Sequence, residues 1–337
     1  MKPLKFFFFL ASFLTVYVSS FGQHFTTPDS YAKFINTEHR EIAKQIVSYT
    51  ATLAQGKSLK NEEHKRKAIL LKLKAASIHI AGMPPYKTDK TLQDSLVSYS
   101  RATYKIINER YLKIQAIQDS ASKFYESAIK FSEAKKMALI LLINDEMKLN
   151  NSVKSFCTKY NVAYSTKNEQ EYQDLLAIQS ASNYHNVLQN TYIKVSSQEM
   201  LFVKAVTKKD KEEIEKQASI LTKLSKEATA VLDTLKSFKE EKSLFNAAKN
   251  YFVFTQKESD KDAITLVTLI IKETTNQNPP SDSSSIANTK AEFTGKDSQL
   301  LTYSTTLTSM DSERKVAIGN WEKENANFLK RYFNQGK

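Results

Sequence analysis

Apolar residues return at steps of three, four and seven through most of this chain. Leu92, Leu96, Tyr99, Thr103, Ile106, Ile107, Ile114 and Ile117 form one stripe, and Ala121, Phe124, Ala128, Phe131, Ala138, Leu142, Leu149, Val153, Phe156 and Tyr160 extend it. That is the period of an α-helix with one face turned inward. Lys135 and Asp145 interrupt the stripe and are expected to snorkel or to lie at its edge. Residues that end helices are scarce, six Gly and six Pro in 337 positions, too few for the frequent turns of a β-fold. They gather at Pro28 after Thr26 and Thr27, at Gly56, at Gly82, Pro84 and Pro85, and at Pro279 and Pro280 within NQNPPSDSSSIANT. The pattern predicts an all-α protein of two tandem antiparallel helical bundles, with about eight long helices, over residues 23–165 and 166–337. The second bundle is expected to carry an Asn/Pro/Ser-rich loop over 274–290.

The two halves share more than a period. KTLQDSLVSYSRATYK from Lys90 and KSLFNAAKNYFVFTQK from Lys242 carry Lys, Leu, Tyr and Lys at identical offsets, a shift of 152 residues. FCTKYN from Phe156 resembles FLKRYFN from Phe328, and YAKFINTEHREIAKQIVSYTATL from Tyr31 tracks YHNVLQNTYIKVSSQEMLFVKAV from Tyr184. The offset grows from 153 at Tyr31/Tyr184 to 172 at Phe156/Phe328, and the extra residues coincide with the Asn/Pro/Ser-rich insertion. An internal duplication is expected, and it predicts a turn between Gln115 and Ser122, where no Gly or Pro announces one.

The amino-terminal residues change the picture from fold to compartment. MKPLK supplies a basic start, and Phe6 to Val18 supplies a thirteen-residue apolar run, shorter than the about 20 residues that span a bilayer. Ser20 and Gly22 flank Phe21 as a peptidase site requires, so residues 1–22 are expected to be a signal peptide cleaved before Gln23. The chain is thus expected to be exported, to the periplasm or the outer surface, without a lipid-bearing Cys. The later apolar runs, Met137 to Ile143 and Ala263 to Ile271, are too short to cross a membrane. Cys157, the single thiol, cannot form an internal disulfide and is expected to be a small buried apolar residue.

In AGMPPYKTDKTLQDSLVSY, residues 81–99, Pro84 and Pro85 forbid helix, Met83 is pushed to extended geometry, and Asp89 is placed to cap the next helix. Tyr86 is expected to pack over the bundle end. Tyr86, Lys87 and Asp89 also form a candidate recognition surface, because a proline-stiffened connector costs little entropy to order. MPPYKTDKTLQDSLVSY followed by FCTKYN resembles a family of signal-bearing bacterial surface proteins of leptospiral type, best over Lys74 to Val162. The resemblance implies a helical fold and an envelope location, and supplies no catalytic residue.

Chemistry-bearing patterns are few. No His has a Glu three residues before it; His24, His39, His64, His79 and His185 are singletons, expected at surfaces or rims. There is no Gly-rich phosphate loop, Gly-x-Ser-x-Gly or His-Glu-x-x-His. No enzyme activity, cofactor or metal is therefore expected. Glu62 with Glu63 and Glu240 with Glu241 are expected as solvated helix starts, and Tyr104 with Tyr111 as core rim. The formal charge of +13, or +11 without Lys2 and Lys5, points to an anionic neighbour. KSLKNEEHKRKAILLKLK concentrates Lys57, Lys60, Lys65, Arg66, Lys67, Lys72 and Lys74, with Ile69, Leu70 and Leu73 expected to face the core. The partner is expected to be an envelope protein or an anionic envelope component rather than nucleic acid, for which no docking motif exists. The alternative is a periplasmic small-ligand or metal carrier with a cavity inside a helical bundle. Asp94, Asp119 and Asp233 begin short triplets of O-glycosylation type, with Ser120 expected to be the most exposed acceptor.

Overall fold

A computed structural model describes residues 25–55, 59–121, 125–165, 169–236, 238–277 and 286–333. The expected signal peptide and its cleavage site at Gln23, with His24, lie outside these residues. Among the described residues the protein is all helical. It comprises α1 (Pro28–Gln55), α2 (Leu59–Ala81), α3 (Thr91–Lys105), α4 (Tyr111–Ala121), α5 (Tyr125–Lys159), α6 (Gln170–Lys208), α7 (Lys211–Thr234), α8 (Ser243–Lys257), α9 (Ala263–Gln277) and α10 (Ile286–Phe333). Single π-helical turns, Ile106–Arg110 and Glu258–Asp262, fuse α3 to α4 and α8 to α9, leaving eight continuous rods.

The chain divides into two compact units, one of residues up to Lys113 with Met137–Ala177, the other of Ile114–Lys136 with Ile178–Lys337. In the first, Ile35 and Leu53 of α1, Ile69 and Leu73 of α2, Leu92 and Leu96 of α3, and Leu149 and Phe156 of α5 fill the core. In the second, the core is built from Leu188 and Phe202 of α6, Ile214 and Leu221 of α7, Leu244 and Phe252 of α8, Leu266 of α9, and Trp321 and Phe328 of α10. The buried positions recur at helical spacing along the helices, which is the periodicity of the sequence made physical.

The element order of the first series recurs in the second with a fixed shift. The short bridge Tyr86↔Asp89 is matched by Phe238↔Glu241, α3 by α8, and one π turn by the other, each 152 residues on. Lys87 and Lys239, again 152 apart, both adopt the left-handed backbone, φ 56° and 45°. At the bundle ends the rings repeat as well. Tyr31, Tyr86, Phe156 and Tyr160 pack with centroids 4.6–5.8 Å apart, and Tyr184, Phe238, Phe328 and Tyr332 pack with centroids 4.7–5.9 Å apart.

Two boundaries differ from the sequence reading. Gln115 to Ala121 is helical, so α4 runs through most of the expected turn before ending; residues 122–124 lie outside the described residues. Ser120 is accordingly half-buried, its Oγ donating to the Ile117 carbonyl at 2.9 Å, not an exposed acceptor. The loop expected over 274–290 is shorter: α9 continues to Gln277 and α10 starts at Ile286, leaving 278–285, with Pro279 and Pro280, outside the described residues. Polar composition overstated that loop, because Thr, Asn and Ser lower helix propensity by only tenths of a kcal/mol each, whereas Pro ends a helix.

The ring clusters should behave alike. Phe156→Ala and Phe328→Ala, each deleting a fully packed ring, are expected to cost about 3–5 kcal/mol in urea unfolding. A loss below about 1 kcal/mol in either would show that the cluster does not hold its bundle end.

Candidate functional site

Helix α2 positions most of the basic residues read from the sequence, and it disperses them. Lys57 and the Lys60 side chain lie outside the described residues. Lys65 Nζ turns inward to the hydroxyls of Ser48 and Thr52 on α1, at 3.1 and 2.7 Å. Arg66 is only 6% exposed and grips Glu63 through two hydrogen bonds of 2.7 and 3.0 Å. That bidentate contact holds the Glu63 carboxyl below its ordinary range. Arg66 therefore belongs to the interior, not to a charged surface. Lys67, Lys72 and Lys74 do face solvent, and α2 also exposes Leu71 (71%), among them, and Ile78 (67%), one turn beyond, while burying Ile69 and Leu73.

The connector before α3 turns Met83 and Tyr86 inward. Tyr86 is buried among the end rings, and Lys87 is exposed with Nζ 5.6 Å from the Tyr86 ring centre. Asp89 accepts from the Thr91 N–H at 2.9 Å, from Lys159 Nζ at 2.7 Å and from the Tyr160 hydroxyl at 3.0 Å. Lys159, then the Thr91 amide, hold the Asp89 carboxyl far below the usual range. Of the three residues proposed from sequence as a recognition surface, only Lys87 is presented to solvent.

Burial corrects the expectations for His39, Glu62 and Glu241. His39 is no rim residue: it is buried, with Nε2 2.8 Å from Glu146 and its ring edge-on to Tyr99. Glu62 and Glu241 are buried, because adjacent residues on a helix or at its start point to different faces and one of each pair turns inward. His185 Nε2 lies 2.6 Å from Asn325 Oδ1, and burial lowers its pKa to about 4. Lys135 Nζ lies 4.8 Å from the Phe131 ring centre, as expected of a side chain at the stripe's edge. Cys157 is buried, and burial, with Asp29 adding to it, raises its pKa. Among the described residues no group of three or more His, Cys, Asp or Glu side chains is arranged to hold a metal ion.

Sequence reading missed the most charged part of the second core. Arg314 of α10 bonds to Glu199 of α6 at 2.9 Å and to Glu258 of the π turn, and the hydroxyl of buried Tyr251 donates to Glu199. Glu258 has no exposed surface, and its Oε2 has no hydrogen-bond partner among the described residues. Burial, reinforced by the charge of Glu199 and opposed by Arg314, raises the Glu258 pKa to about 8. At sequence offsets of 153, 152 and 172 residues, Glu199, Glu258 and Arg314 correspond to Ile46, Ile106 and Leu142, all buried in the first unit. The signal was present in the paired halves as three charges facing three aliphatic residues.

Two grooves open among the described residues. One, of about 410 Å³ between α3 and α5, is lined by Ser95, Ser98, Asp145, Lys148 and Ser152 among others. The other, of about 530 Å³ between α7 and α9, is lined largely by small and apolar residues. No family model, curated protein or solved structure matches this chain.

The charged core generates two predictions. Replacing Glu199, Arg314 and Glu258 together by Ile, Leu and Ile should leave a folded protein of equal or greater stability, by up to about 4 kcal/mol, whereas Arg314→Leu alone should cost about 3–5 kcal/mol. Urea unfolding of the two variants decides, and a triple variant that fails to fold refutes the equivalence. Because folded Glu258 holds its proton to about pH 8 against an ordinary 4.5, the folded state binds the extra proton between these values. Stability from this group is therefore full below about pH 4.5 and falls as pH rises towards about 8. Glu258→Gln should remove that part of the slope when unfolding is compared at about pH 5.5 and about pH 8.5; an unchanged slope would contradict the assignment.

Proposed function

We propose that this is an exported, non-catalytic helical protein of the cell envelope, arisen by internal duplication, that docks on an anionic lipid surface. The observation carrying the reading is the outer face of α2. Lys67, Leu71, Lys74 and Ile78 recur at helical spacing on one side, with Lys72 beside them, and all are exposed. Apolar side chains this exposed, flanked by lysines, suit an interface where the chains enter the acyl boundary and the ammonium groups meet phosphate. The signal-like start, the charge of +13 and the resemblance around MPPYK support the same location. Among the described residues no helix is long and apolar enough to cross a membrane. A second reading, a small-ligand carrier, is favoured by the groove between α7 and α9.

Vesicle sedimentation tests the first reading. Binding to phosphatidylglycerol vesicles is expected at low salt and not to phosphatidylcholine, and Lys72→Glu with Lys74→Glu should weaken it more than about tenfold. Leu71→Ser should weaken it further at constant charge. Salt-insensitive binding, or binding unchanged by these substitutions, would remove α2 as the docking face.

A further inference from the structure

The groove between α7 and α9 lies within the second unit, and the sequence offset of 152 residues pairs its lining with residues of the first unit. Its floor is formed by Ala218 and Ala263, its wall by Val267 and the exposed Ile264 and Ile271, and its polar end by Glu215 and Asp260. Shifted back by 152 residues, Glu215 becomes Glu63, Ala218 becomes Arg66 and Ala263 becomes Tyr111. In the first unit those residues close the space: Arg66 and Tyr111 are both buried, and Arg66 grips Glu63. The Tyr111 ring packs 5.3 Å from Tyr49, on which the Arg66 charge also acts. The second unit keeps the carboxylate and lacks both the guanidinium and the ring. Two small residues remain in place of two large ones, and no basic side chain lines the groove.

We propose that this groove binds a small organic cation, an ammonium or guanidinium group attached to an aromatic or similarly flat apolar body. The cationic group pairs with Glu215, and the apolar body lies against Ala218, Ala263 and Val267 where the first unit holds Tyr111. A volume of about 530 Å³ suits a small molecule, since ligand clefts run to roughly 300–1,000 Å³. Asp260 Oδ1 already accepts from the Thr222 hydroxyl at 2.8 Å, which fixes its carboxylate at the polar end. In a chain of net charge +13, an apolar groove with carboxylates and no cation in its lining is a local exception that selects for positive ligands. The inference rests on the carrier reading above and is independent of docking through α2.

The full chain is titrated with phenylguanidine, benzyl alcohol and benzoate while the methyl resonances of Ala218, Ala263, Ile264 and Val267 are followed by NMR. Phenylguanidine should give saturable shifts centred on these methyls, benzyl alcohol should bind about tenfold more weakly, and benzoate more weakly still, the margin expected of one charge-assisted pair. Glu215→Gln, a change on an exposed side chain that leaves the fold intact, should cost phenylguanidine about tenfold. Ala218→Arg with Ala263→Tyr, which restores the first unit's occupants, should abolish binding. Benzyl alcohol binding as tightly as phenylguanidine would overturn the cation and leave a neutral-ligand carrier. No saturable shift with any of the three probes would overturn both the cation and the carrier.

Discussion

One carboxylate at the head of α3, and its counterpart at the head of α8, tie the ends of the two bundles. Asp89 binds the first free amide of α3 and, at the same time, Lys159 and Tyr160 at the end of α5. Glu241 does the same for α8, accepting from the Ser243 amide at 2.9 Å and pairing with Arg331 of α10. A helix start leaves amides unpaired, and a helix end leaves the opposite dipole, so an anion at one and a cation at the other satisfy both with one contact. The ring clusters sit directly beneath. With so few Gly and Pro available, the connectors before α3 and α8 are held by side-chain chemistry, and both use the same solution.

The helical class and the rod count were legible because they depend on period and spacing, which survive without knowledge of contacts. Asp89 as a cap and Cys157 as a buried residue were legible for the same reason. The basic run was misread because charge counting cannot see that Arg66, three residues after Glu63, finds its partner on its own helix and folds inward. His39 was misread because its partner, Glu146, lies more than a hundred residues away. The ends of the Pro-containing loop were misread because polar composition marks a tendency, whereas only the prolines impose a stop.

The contrast between the halves is informative because the order of bridge, helix and π turn recurs 152 residues on with different residues. Where Ile46, Ile106 and Leu142 close one core, Glu199, Glu258 and Arg314 occupy the other, so the architecture itself does not require charge there. Taking those groups out of water is costly, and their mutual pairing recovers much but not all of that cost. Burial, more than the neighbouring charge of Glu199, raises the Glu258 carboxyl above its ordinary range, and Arg314 offsets only part of that. In the same comparison the α7–α9 groove carries Ala218 and Ala263 where the first half carries Arg66 and Tyr111.

Cys157 adjoins Phe156, a member of the first ring cluster, and its thiol is shielded from solvent. Alkylation of this residue therefore requires the bundle end to open. Because it is the chain's single cysteine, the rate of its labelling is a built-in clock for breathing of that end, readable in the intact protein without any engineered probe.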